Sequence, residues 1–345
     1  MRVLVAMSGG VDSSVAAALL VEQGHDVVGA TLKLWGGPSD SGCCSVADVD
    51  DARRVAQQLG IEHHVFNLSE EFDRHVVTPY VEAHVQGRTP NPCIECNRSI
   101  KFDRLLARSD RLGFDRLATG HHAQVSAGSP LQLRRGADVD KDQSYVLSML
   151  TQPELAQVLL PVGALTKAEV RAHATRLGLR TADKPDSQDV CFIQSTEGRR
   201  RFLADRVALH PGQIVDADSG LVVGTVPAVE LVTVGQRRGL GVALDGHRQY
   251  ALEVDVPARR VLVGRAGAAR GHHVAVCRPT WVDRPLEAGT RVLGQTSAHG
   301  HAAPGTWLGH AVLFDEPVAL VAPGQTVALY DVDDTDAVAG SALAA

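Results

Sequence analysis

The first twenty residues contain Val3-Leu4-Val5-Ala6-Met7, then Ser8-Gly9-Gly10-Val11-Asp12-Ser13-Ser14, then Val15-Ala16-Ala17-Ala18-Leu19-Leu20. An apolar strand, a glycine turn rich in hydroxyl groups and a helix start together form a cradle for phosphate. Paired glycines let backbone N–H groups approach an anion, and the N-terminus of a helix carries partial positive charge. The loop lacks the lysine of the G-x-x-x-x-G-K-[ST] motif, so it is not a Walker A loop. The simpler alternative is a glycine turn in which Asp12 or Ser13 caps the helix.

Length and composition indicate a folded protein of two or three domains. The chain has 345 residues, of which 44% are hydrophobic and 21% charged. No apolar run approaches about 18 residues, so we expect no membrane segment and a cytoplasmic location. Six cysteines are too few for a disulfide scaffold and are better candidates for chemistry. The net charge of −6 argues against nucleic-acid binding over the whole surface but allows local basic faces.

Residues 1–120 alternate between strand and helix patterns. Strands are predicted at Asp26–Leu34, Ile61–Leu68 and Arg116–Thr119, with helices between them. Strands separated by helices of this length form a parallel sheet with right-handed crossovers, which defines an α/β fold. Ligands of such sheets bind beyond the carboxyl ends of the strands, where the glycine loop falls.

From residue 210 the pattern changes to short apolar runs broken by Pro-Gly, Asp-Gly and Ser-Gly turns. Runs such as Leu231–Val234 and Val327–Tyr330 predict strands of one or two small β-barrels. Residues 331–345 are predicted to form a frayed tail. We therefore expect an α/β domain with a helical extension at 1–209, a small central β domain at 210–270 and a C-terminal β-barrel at 271–345.

The glycine loop resembles the SGGxDS loop of the ATP pyrophosphatase (PP-loop) superfamily. Members of that superfamily have an adenine nucleotide hydrolase-like domain, split ATP between the α and β phosphates, and adenylate an oxygen. The resemblance implies the same fold for the N-terminal domain, with ATP and Mg²⁺ bound at the loop.

Further motifs resemble the bacterial tRNA-specific 2-thiouridylase family, in collinear order over nearly the whole chain. A cysteine is most often a small buried hydrophobe, but the resemblance gives two cysteines a chemical role. The motifs are Asn91-Pro92-Cys93-Ile94-Glu95-Cys96-Asn97, Thr119-Gly120-His121, Lys141-Asp142-Gln143-Ser144-Tyr145, Asp186-Ser187-Gln188-Asp189-Val190-Cys191-Phe192-Ile193 and Gly235-Gln236-Arg237-Arg238-Gly239-Leu240.

The family's reaction, 2-thiolation of the wobble uridine at position 34 of tRNA, requires two thiols. Oxide is a poor leaving group, so a uracil oxygen must first be adenylated by ATP. Sulfur then arrives as a cysteine persulfide, and a second thiol cleaves the resulting S–S link. By resemblance, Cys191 carries the persulfide, Cys96 is the nucleophile, and a Cys96–Cys191 disulfide remains to be reduced. A helix predicted at about Cys96–Leu112 places Cys96 near its start, where the dipole and Arg98 favour the thiolate.

The resemblance also implies the partners and the binding residues. A persulfide donor (a cysteine desulfurase or a relay protein) supplies the sulfur, and the wobble uridine is flipped, because a base must leave its stack before an enzyme can modify it. Asp12 is expected to steady the loop or to engage Mg²⁺. ATP contacts are implied for Ala6, Met7, Ser8, Gly9, Gly10, Val11, Asp12, Ser13, Leu32 and Gly120. tRNA contacts are implied for Asn91, Pro92 and Cys93, which line the target-base pocket, and for His121, Lys141, Asp142, Gln143 and Gln325.

Cys93 leaves several interpretations open. Some family members have an aspartate at this position, proposed to help proton transfer, and others a cysteine. Cys93-x-x-Cys96 could be a redox pair or half of a zinc site, although no second pair completes the four ligands of zinc. Together with Cys191, the pair could also hold a [4Fe–4S] cluster with one open iron.

Two rival functions remain at this stage. Another PP-loop ATP pyrophosphatase, acting on tRNA or a small molecule, would share the glycine loop but would not need Cys96 with Cys191. A non-catalytic, metal-binding RNA module built on Cys93-x-x-Cys96 would bind zinc and leave the glycine loop unexplained.

Overall fold

The computed structural model describes residues 1–35, 46–186, 190–193, 198–242 and 246–345. The centre of the Cys191 motif, residues 187–189, therefore lies outside the described residues. The strands in chain order are β1 (Arg2–Ala6), β2 (Asp26–Lys33), β3 (Glu62–Asn67), β4 (Arg116–Thr119), β5 (Ala123–Ser126), β6 (Gln132–Arg135), β7 (Val158–Leu159), β8 (Gly212–Asp216), β9 (Val222–Val226), β10 (Tyr250–Asp255), β11 (Arg260–Gly264), β12 (Arg270–Trp281), β13 (Arg291–Gln295), β14 (Ala303–Trp307), β15 (Ala311–Ala319), β16 (Thr326–Tyr330) and β17 (Val338–Ala344).

The helices lie almost entirely in the first two thirds of the chain. Two π-helical segments, Asp73–Val77 and Asn97–Leu105, join successive α-helices end to end. The α-helices are α1 (Val11–Glu22), α2 (Val46–Leu59), α3 (Ser69–Phe72), α4 (Thr78–Val85), α5 (Pro92–Cys96), α6 (Leu106–Arg111), α7 (Ser144–Leu147), α8 (Gln152–Leu155), α9 (Lys167–Arg176) and α10 (Gly198–Ala204). None of the helices in the described ranges is long and apolar enough to span a bilayer.

The N-terminal sheet is parallel, with the strand order β3-β2-β1-β4-β7. The central strand β1 buries Val3, Leu4 and Val5 completely, because helices cover both faces of the sheet. Leu4 faces a core that includes α3 to α6, while Val3 and Val5 face a second core with α1, α2 and α9. The predicted α/β fold is confirmed. The observed bounds of β4 equal the predicted ones, β2 ends one residue earlier than predicted, and β3 is one residue shorter at each end.

The helix predicted to start near Cys96 begins four residues earlier. Pro92 is the first residue of α5, and the side chain of Asn91 caps the helix by accepting a hydrogen bond from the N–H of Cys93 at 3.0 Å. The predicted start was wrong because a cap residue followed by proline is a strong signal for a helix start. Cys96 consequently lies in the second turn, where the effect of the helix dipole is weaker than at Cys93.

The C-terminal half is all β, as predicted. Strands β8 to β11 form a four-stranded sheet in the order β10-β11-β8-β9, and the remaining strands form a closed barrel, β12-β15-β14-β13-β16-β17. Trp307 and Phe314 are buried in the barrel core. The central sheet lies within Gly212–Gly264 and the barrel within Arg270–Ala344. The exact domain boundaries stay a prediction.

Two predictions in this half were wrong. Leu231–Val234 is not a strand, because Val229–Leu231 forms a short 3₁₀ turn there. Residues 331–345 are not a frayed tail, because β17 pairs with β12 and β16 and closes the barrel. The small side chains of β17 give little strand periodicity, yet close packing requires them. A Cβ at Gly340 would overlap the carbonyl of Thr280.

Candidate active site

The glycine loop lies at the carboxyl end of β1 and leads into α1. Gly9 has φ +73°, in the left-handed region that favours glycine, and a Cβ there would overlap the carbonyl of Asp48 in α2. A Cβ at Gly120, which follows β4, would lie 2.5 Å from the backbone N of Ser13. The sheet therefore brings the Gly120 backbone against the loop, at the edge where ligands of parallel sheets bind.

Serine hydroxyl groups brace the loop from inside. Ser13 Oγ accepts a hydrogen bond from the N–H of Ser8 at 3.2 Å and donates one to the carbonyl of Gly10 at 3.2 Å. Ser14 Oγ donates to the same carbonyl at 2.8 Å. Gly10 is the N-cap of α1 and receives no side-chain cap bond, so the simpler alternative of an Asp12 or Ser13 cap was wrong. The start of α1 can thus offer its first N–H groups to an anion.

The predicted ATP residues outside the turn lie at the ends of β1 and β2. Ala6 is the last residue of β1, and the N–H of Met7 donates to the carbonyl of Ala30 at 2.8 Å. The side chains of Met7 and Val11 are buried in the core that contains α1, while Leu32 near the end of β2 is buried in the opposite core. Direct contact of these residues with ATP stays a prediction.

One lysine outside the predicted site holds the glycine loop. Lys184 Nζ lies 2.9 Å from the carbonyl oxygen of Gly9 and 2.6 and 2.7 Å from the carboxylates of Asp48 and Asp51 in α2. Burial by itself lowers the pKa of Lys184, but the hydrogen bonds with Asp48 and Asp51 outweigh burial and raise it. Lys184 is therefore a fixed positive charge against the loop.

A second lysine outside the predicted site, Lys167, bridges two carboxylates. Its Nζ lies 2.6 and 2.8 Å from the carboxylate oxygens of Asp12 and 2.8 Å from Asp186 Oδ1. Asp12 also contacts His122 Nε2 at 3.1 Å. Burial raises the pKa of Asp12, but the hydrogen bonds from His122 and Lys167 outweigh burial and lower it. The sequence signal here, the Thr166 capping box at the start of α9, locates the helix but says nothing about its lysine.

The two adjacent histidines have different surroundings. His121 is 8% exposed, its Nδ1 lies 2.7 Å from Thr119 Oγ1, and its ring packs against Phe102. Burial holds the pKa of His121 well below its usual value, so the ring is neutral at physiological pH. His122 is the histidine that reaches Asp12 of the glycine loop. Contact between His121 and tRNA stays a prediction, while the structure adds His122 to the site.

The predicted tRNA-binding residues 141–143 form a tightly bonded loop that is linked through His122 to the glycine loop. Asp142 accepts hydrogen bonds from the N–H of Gly136 at 3.0 Å and from Arg135 Nη1 at 2.8 Å. Gln143 Oε1 accepts from the N–H of His122 at 2.9 Å. Lys141 Nζ lies 2.8 Å from Asp186 Oδ2. Asp142 and Gln143 therefore fix the shape of this loop through hydrogen bonds, whereas Lys141 forms an ion pair with Asp186.

The predicted catalytic cysteines contact one continuous hydrophobic core. Cys96 is 6% exposed and belongs to the core on the α3–α6 side of the sheet, and Cys191 is partly buried against the same core. Phe192, next to Cys191, packs edge-on against Phe72 and Tyr80, with ring centroids 5.6 and 5.5 Å away. The fold therefore brings the two segments, 95 residues apart in sequence, against one core.

The structure does not support a metal centre at the cysteines. Cys93 is exposed on the first turn of α5, whereas Cys96 is buried. Within the described ranges, no three His, Cys, Asp or Glu side chains are grouped closely enough to hold a metal ion. The three thiolates that a [4Fe–4S] cluster with one open iron requires are therefore not assembled.

The barrel is fastened to the loop that precedes α5. Gln325 Nε2 donates to the carbonyl of Thr89 at 2.6 Å, and the N–H of Thr89 donates to the carbonyl of Pro323 at 2.8 Å. A second link joins the barrel to α7, where Tyr145 OH donates to the carbonyl of Thr326 at 2.8 Å. The barrel is thus positioned beside Asn91, Pro92 and Cys93, the residues predicted to line the target-base pocket.

Comparisons with known proteins cover nearly the whole chain. A family model described as a tRNA methyl transferase HUP domain matches residues 1–195, and one described as a tRNA methyl transferase PRC-barrel domain matches residues 200–265. A tRNA-specific 2-thiouridylase MnmA from Thermobifida fusca (strain YX) is 46% identical and covers 96% of this chain and 93% of its own. A tRNA-specific 2-thiouridylase MnmA from Salinispora tropica (strain ATCC BAA-916 / DSM 44818 / JCM 13857 / NBRC 105044 / CNB-440) is 44% identical, and the match covers 100% of this chain and 99% of that protein.

A solved 4-thiouridine synthetase–RNA complex with bound ATP matches 55% of this chain and 44% of that chain, at 18% identity and a TM-score of 0.38. A structural match this weak carries no argument. The relatives at 44% and 46% identity do, because they match this chain over almost its full length and theirs. The chain belongs to the tRNA-specific 2-thiouridylase family.

Proposed function

We propose that this protein uses ATP to replace the C2 oxygen of the wobble uridine, position 34, of tRNA with sulfur. The observation that carries the proposal is that Cys96 and Cys191 pack against one core. That core lies on the α3–α6 face of the parallel sheet, and the glycine loop lies at the strand ends of the same sheet. Another ATP pyrophosphatase would need the loop but would have no use for this pair of thiols.

The first step is adenylation at the glycine loop. The uridine C2 oxygen attacks the α-phosphorus of ATP, and pyrophosphate leaves with the electron pair of the broken P–O bond. The start of α1 and the ammonium groups of Lys167 and Lys184 supply positive charge for the phosphates. Mg²⁺ is proposed to enter with ATP, and Asp12 is the carboxylate of the loop that would engage it.

The second step is sulfur transfer. The terminal sulfur of a persulfide on Cys191 attacks C2, and AMP leaves. The Cys96 thiolate then attacks the sulfur of Cys191, so that 2-thiouridine departs and a Cys96–Cys191 disulfide forms. The sulfane sulfur gains two electrons that the two thiols lose. Each cycle therefore requires a persulfide donor, a cysteine desulfurase or a relay protein, and a reductant for the disulfide.

The tRNA would be held across the catalytic domain and the barrel. The link between Gln325 and Thr89 supports this proposal, because it places the barrel beside the loop that caps α5. A flipped uridine entering at Asn91, Pro92 and Cys93 would approach the helix that bears Cys96. Lys141, Asp142 and Gln143 would contact the tRNA from the nucleotide side.

The proposal is tested by incubating the protein with ATP, an unmodified tRNA transcript, a reductant and a cysteine desulfurase supplied with ³⁵S-cysteine. Digestion to nucleosides should show label in 2-thiouridine, with release of AMP and pyrophosphate, and a transcript with cytidine at position 34 should take up no label. Cys191→Ser should abolish the label. Cys277→Ser, which changes an exposed cysteine in β12, should not. ATP cleavage with no labelled 2-thiouridine would favour a different ATP pyrophosphatase and refute the proposal.

A further inference from the structure

Arg135, the last residue of β6, lies between the loop of residues 136–143 and the barrel. Its Nη1 lies 2.8 Å from Asp142 Oδ2 in the loop and 3.2 Å from Oε1 of Gln295, which belongs to β13 of the barrel. Its Cζ lies 3.8 Å from the centre of the ring of Tyr330 in β16. One side chain of the catalytic domain therefore contacts the loop and two strands of the barrel.

The carboxylate of Asp142 holds the 136–143 loop in one shape. Its Oδ1 accepts hydrogen bonds from the N–H of Gly136 at 3.0 Å and the N–H of Ser144 at 2.9 Å. Its Oδ2 accepts from Arg135 Nη1 and from Ser144 Oγ, each at 2.8 Å. A carboxylate offers about four acceptor positions, so these four bonds fill it, and the side chain is only 7% exposed. Any contact of Asp142 with tRNA therefore uses its backbone.

The barrel side of this contact is buried. Tyr330 is fully buried, and Gln295 is 3% exposed. Tyr330 OH lies 3.0 Å from Ser144 Oγ, the hydroxyl group that also donates to Asp142. Burial raises the pKa of Tyr330 to about 12, against the opposing effect of the Arg135 charge, so the phenol stays neutral. A cation over a buried ring is attracted more strongly than a cation over an exposed ring, because water does not compete for it.

The neighbouring arginine, Arg134, also joins β6 to the C-terminal half but does not bind the loop. Both of its terminal nitrogens contact the carboxylate of Asp334, which follows β16 and is 44% exposed. Among the described residues, the Arg134 side chain donates to Asp334 and Gln132 and to no residue of the 136–143 loop. Arg134 is therefore a matched control for Arg135.

We propose that Arg135 is a positioning residue for tRNA, which fixes the loop carrying Lys141 and Gln143 against the barrel before tRNA binds. This inference rests on the proposed function, in which that loop and the barrel hold one tRNA. A loop that is already ordered costs less free energy to engage than a loop that must be ordered on binding. Arg135 acts through Asp142 and Tyr330 rather than by contacting a phosphate.

The test compares Arg135→Gln with Arg134→Gln, each of which removes one positive charge from β6. Binding of an unmodified tRNA transcript is titrated at several salt concentrations, and ATP affinity is measured by calorimetry. Arg135→Gln should bind tRNA about tenfold more weakly, the effect of ordering one or two side chains on binding. Arg134→Gln should stay within about twofold of the wild type, because it loses one exposed ion pair. ATP affinity should not change, because Lys167 still holds Asp12.

The salt dependence of binding separates positioning from direct contact. Loss of a phosphate contact flattens the slope of log Kd against log salt concentration by about 0.7–0.9, whereas loss of a positioning contact leaves the slope unchanged. Three results for folded Arg135→Gln would overturn the proposal: a flattened slope relative to Arg134→Gln, a tRNA affinity equal to that of Arg134→Gln, or equal losses of tRNA and ATP affinity.

Tyr330→Leu, which removes the ring beneath the guanidinium group, is measured beside Arg135→Gln in case the latter does not fold. Because Tyr330 is fully buried, this change removes no contact with tRNA. Folded Tyr330→Leu should bind tRNA more weakly than the wild type with an unchanged salt slope, and wild-type affinity would overturn the proposal. A wild-type protein that forms no 2-thiouridine would instead refute the proposed function, so the two failures are distinguishable.

Discussion

Gly120→Ala probes the contact between the end of β4 and the glycine loop. The backbone of Gly120 does not have positive φ, so alanine imposes no backbone strain and adds only one methyl group. That methyl carbon would lie 2.5 Å from Ser13 N, 2.7 Å from the Asp12 carbonyl carbon and 2.9 Å from Ser13 Cα. All three atoms belong to backbone, which cannot rotate away as a side chain can. Restoring ordinary contact distances therefore requires a backbone shift of about 1 Å.

The cost of that shift falls on stability and on activity. Overpacking of this kind costs about 1–3 kcal/mol, and each kcal/mol lowers the Tm of a domain of this size by about 2–4 °C. A displacement of about 1 Å at a reacting group can reduce the rate by about 100-fold. We therefore expect a lower Tm, weaker ATP binding and a loss of AMP formation of about 10- to 100-fold.

ATP affinity is measured by titration calorimetry, and activity by tRNA-dependent AMP release. Gly267→Ala is the matched control, because a Cβ at Gly267 meets nothing within 4 Å and its φ is not positive. The control should match the wild type. Unchanged ATP affinity and unchanged AMP release in folded Gly120→Ala would refute the argument that this glycine makes room for the loop.

Four further outcomes are expected. Cys96→Ser and Cys191→Ser should each reduce thiolation by about 1,000-fold or more while the tRNA is still adenylated and pyrophosphate is still released, and retained thiolation would remove that cysteine from its role. Asp12→Ala should reduce AMP formation by about 100-fold, with normal AMP release counting against the loop assignment. Cys93→Ser should leave thiolation intact, whereas lost activity together with bound iron in the wild type would revive the cluster. Asp186→Asn should lower the free energy of unfolding in urea by a constant amount above about pH 4, and by a smaller amount as the pH falls towards 2. The reason is that a carboxyl group with a lowered pKa stabilises the fold only while it is ionised. A difference between variant and wild type that does not depend on pH would contradict this prediction.

The elements that the sequence predicted correctly are those specified by neighbours in the chain. The order of apolar strand, paired glycines and helix at residues 3–20 predicts both β1 and the glycine loop that follows it. The Thr166 capping box of α9 is a signal of the same local kind, because a cap and its partner lie three residues apart. The start of α5 lies four residues before the predicted one, although Asn91-Pro92, a cap residue followed by proline, is a local signal of a helix start.

The prediction for residues 331–345, which contain β17, was wrong for a different reason. Five of the seven residues of β17 are Ala, Gly or Ser, and the hydrophobicity of these small residues differs too little to show a period of two. Its place is decided by two partner strands, β12 and β16, and by the space available inside a closed barrel. Without these two partner strands, a segment of such small side chains would lack the hydrogen bonds and packing contacts that order it.

The sequence by itself determined the glycine loop, which is encoded in a short contiguous motif, and the parallel sheet that carries it, which follows from the alternation of strands and helices. Only the tertiary structure decided which charges surround the loop. Lys167 and Lys184 meet their partners Asp12 and Gly9 across 155 and 175 residues. Ion pairs of this kind leave no periodicity in one sequence, since either partner alone has the pattern of an ordinary surface charge.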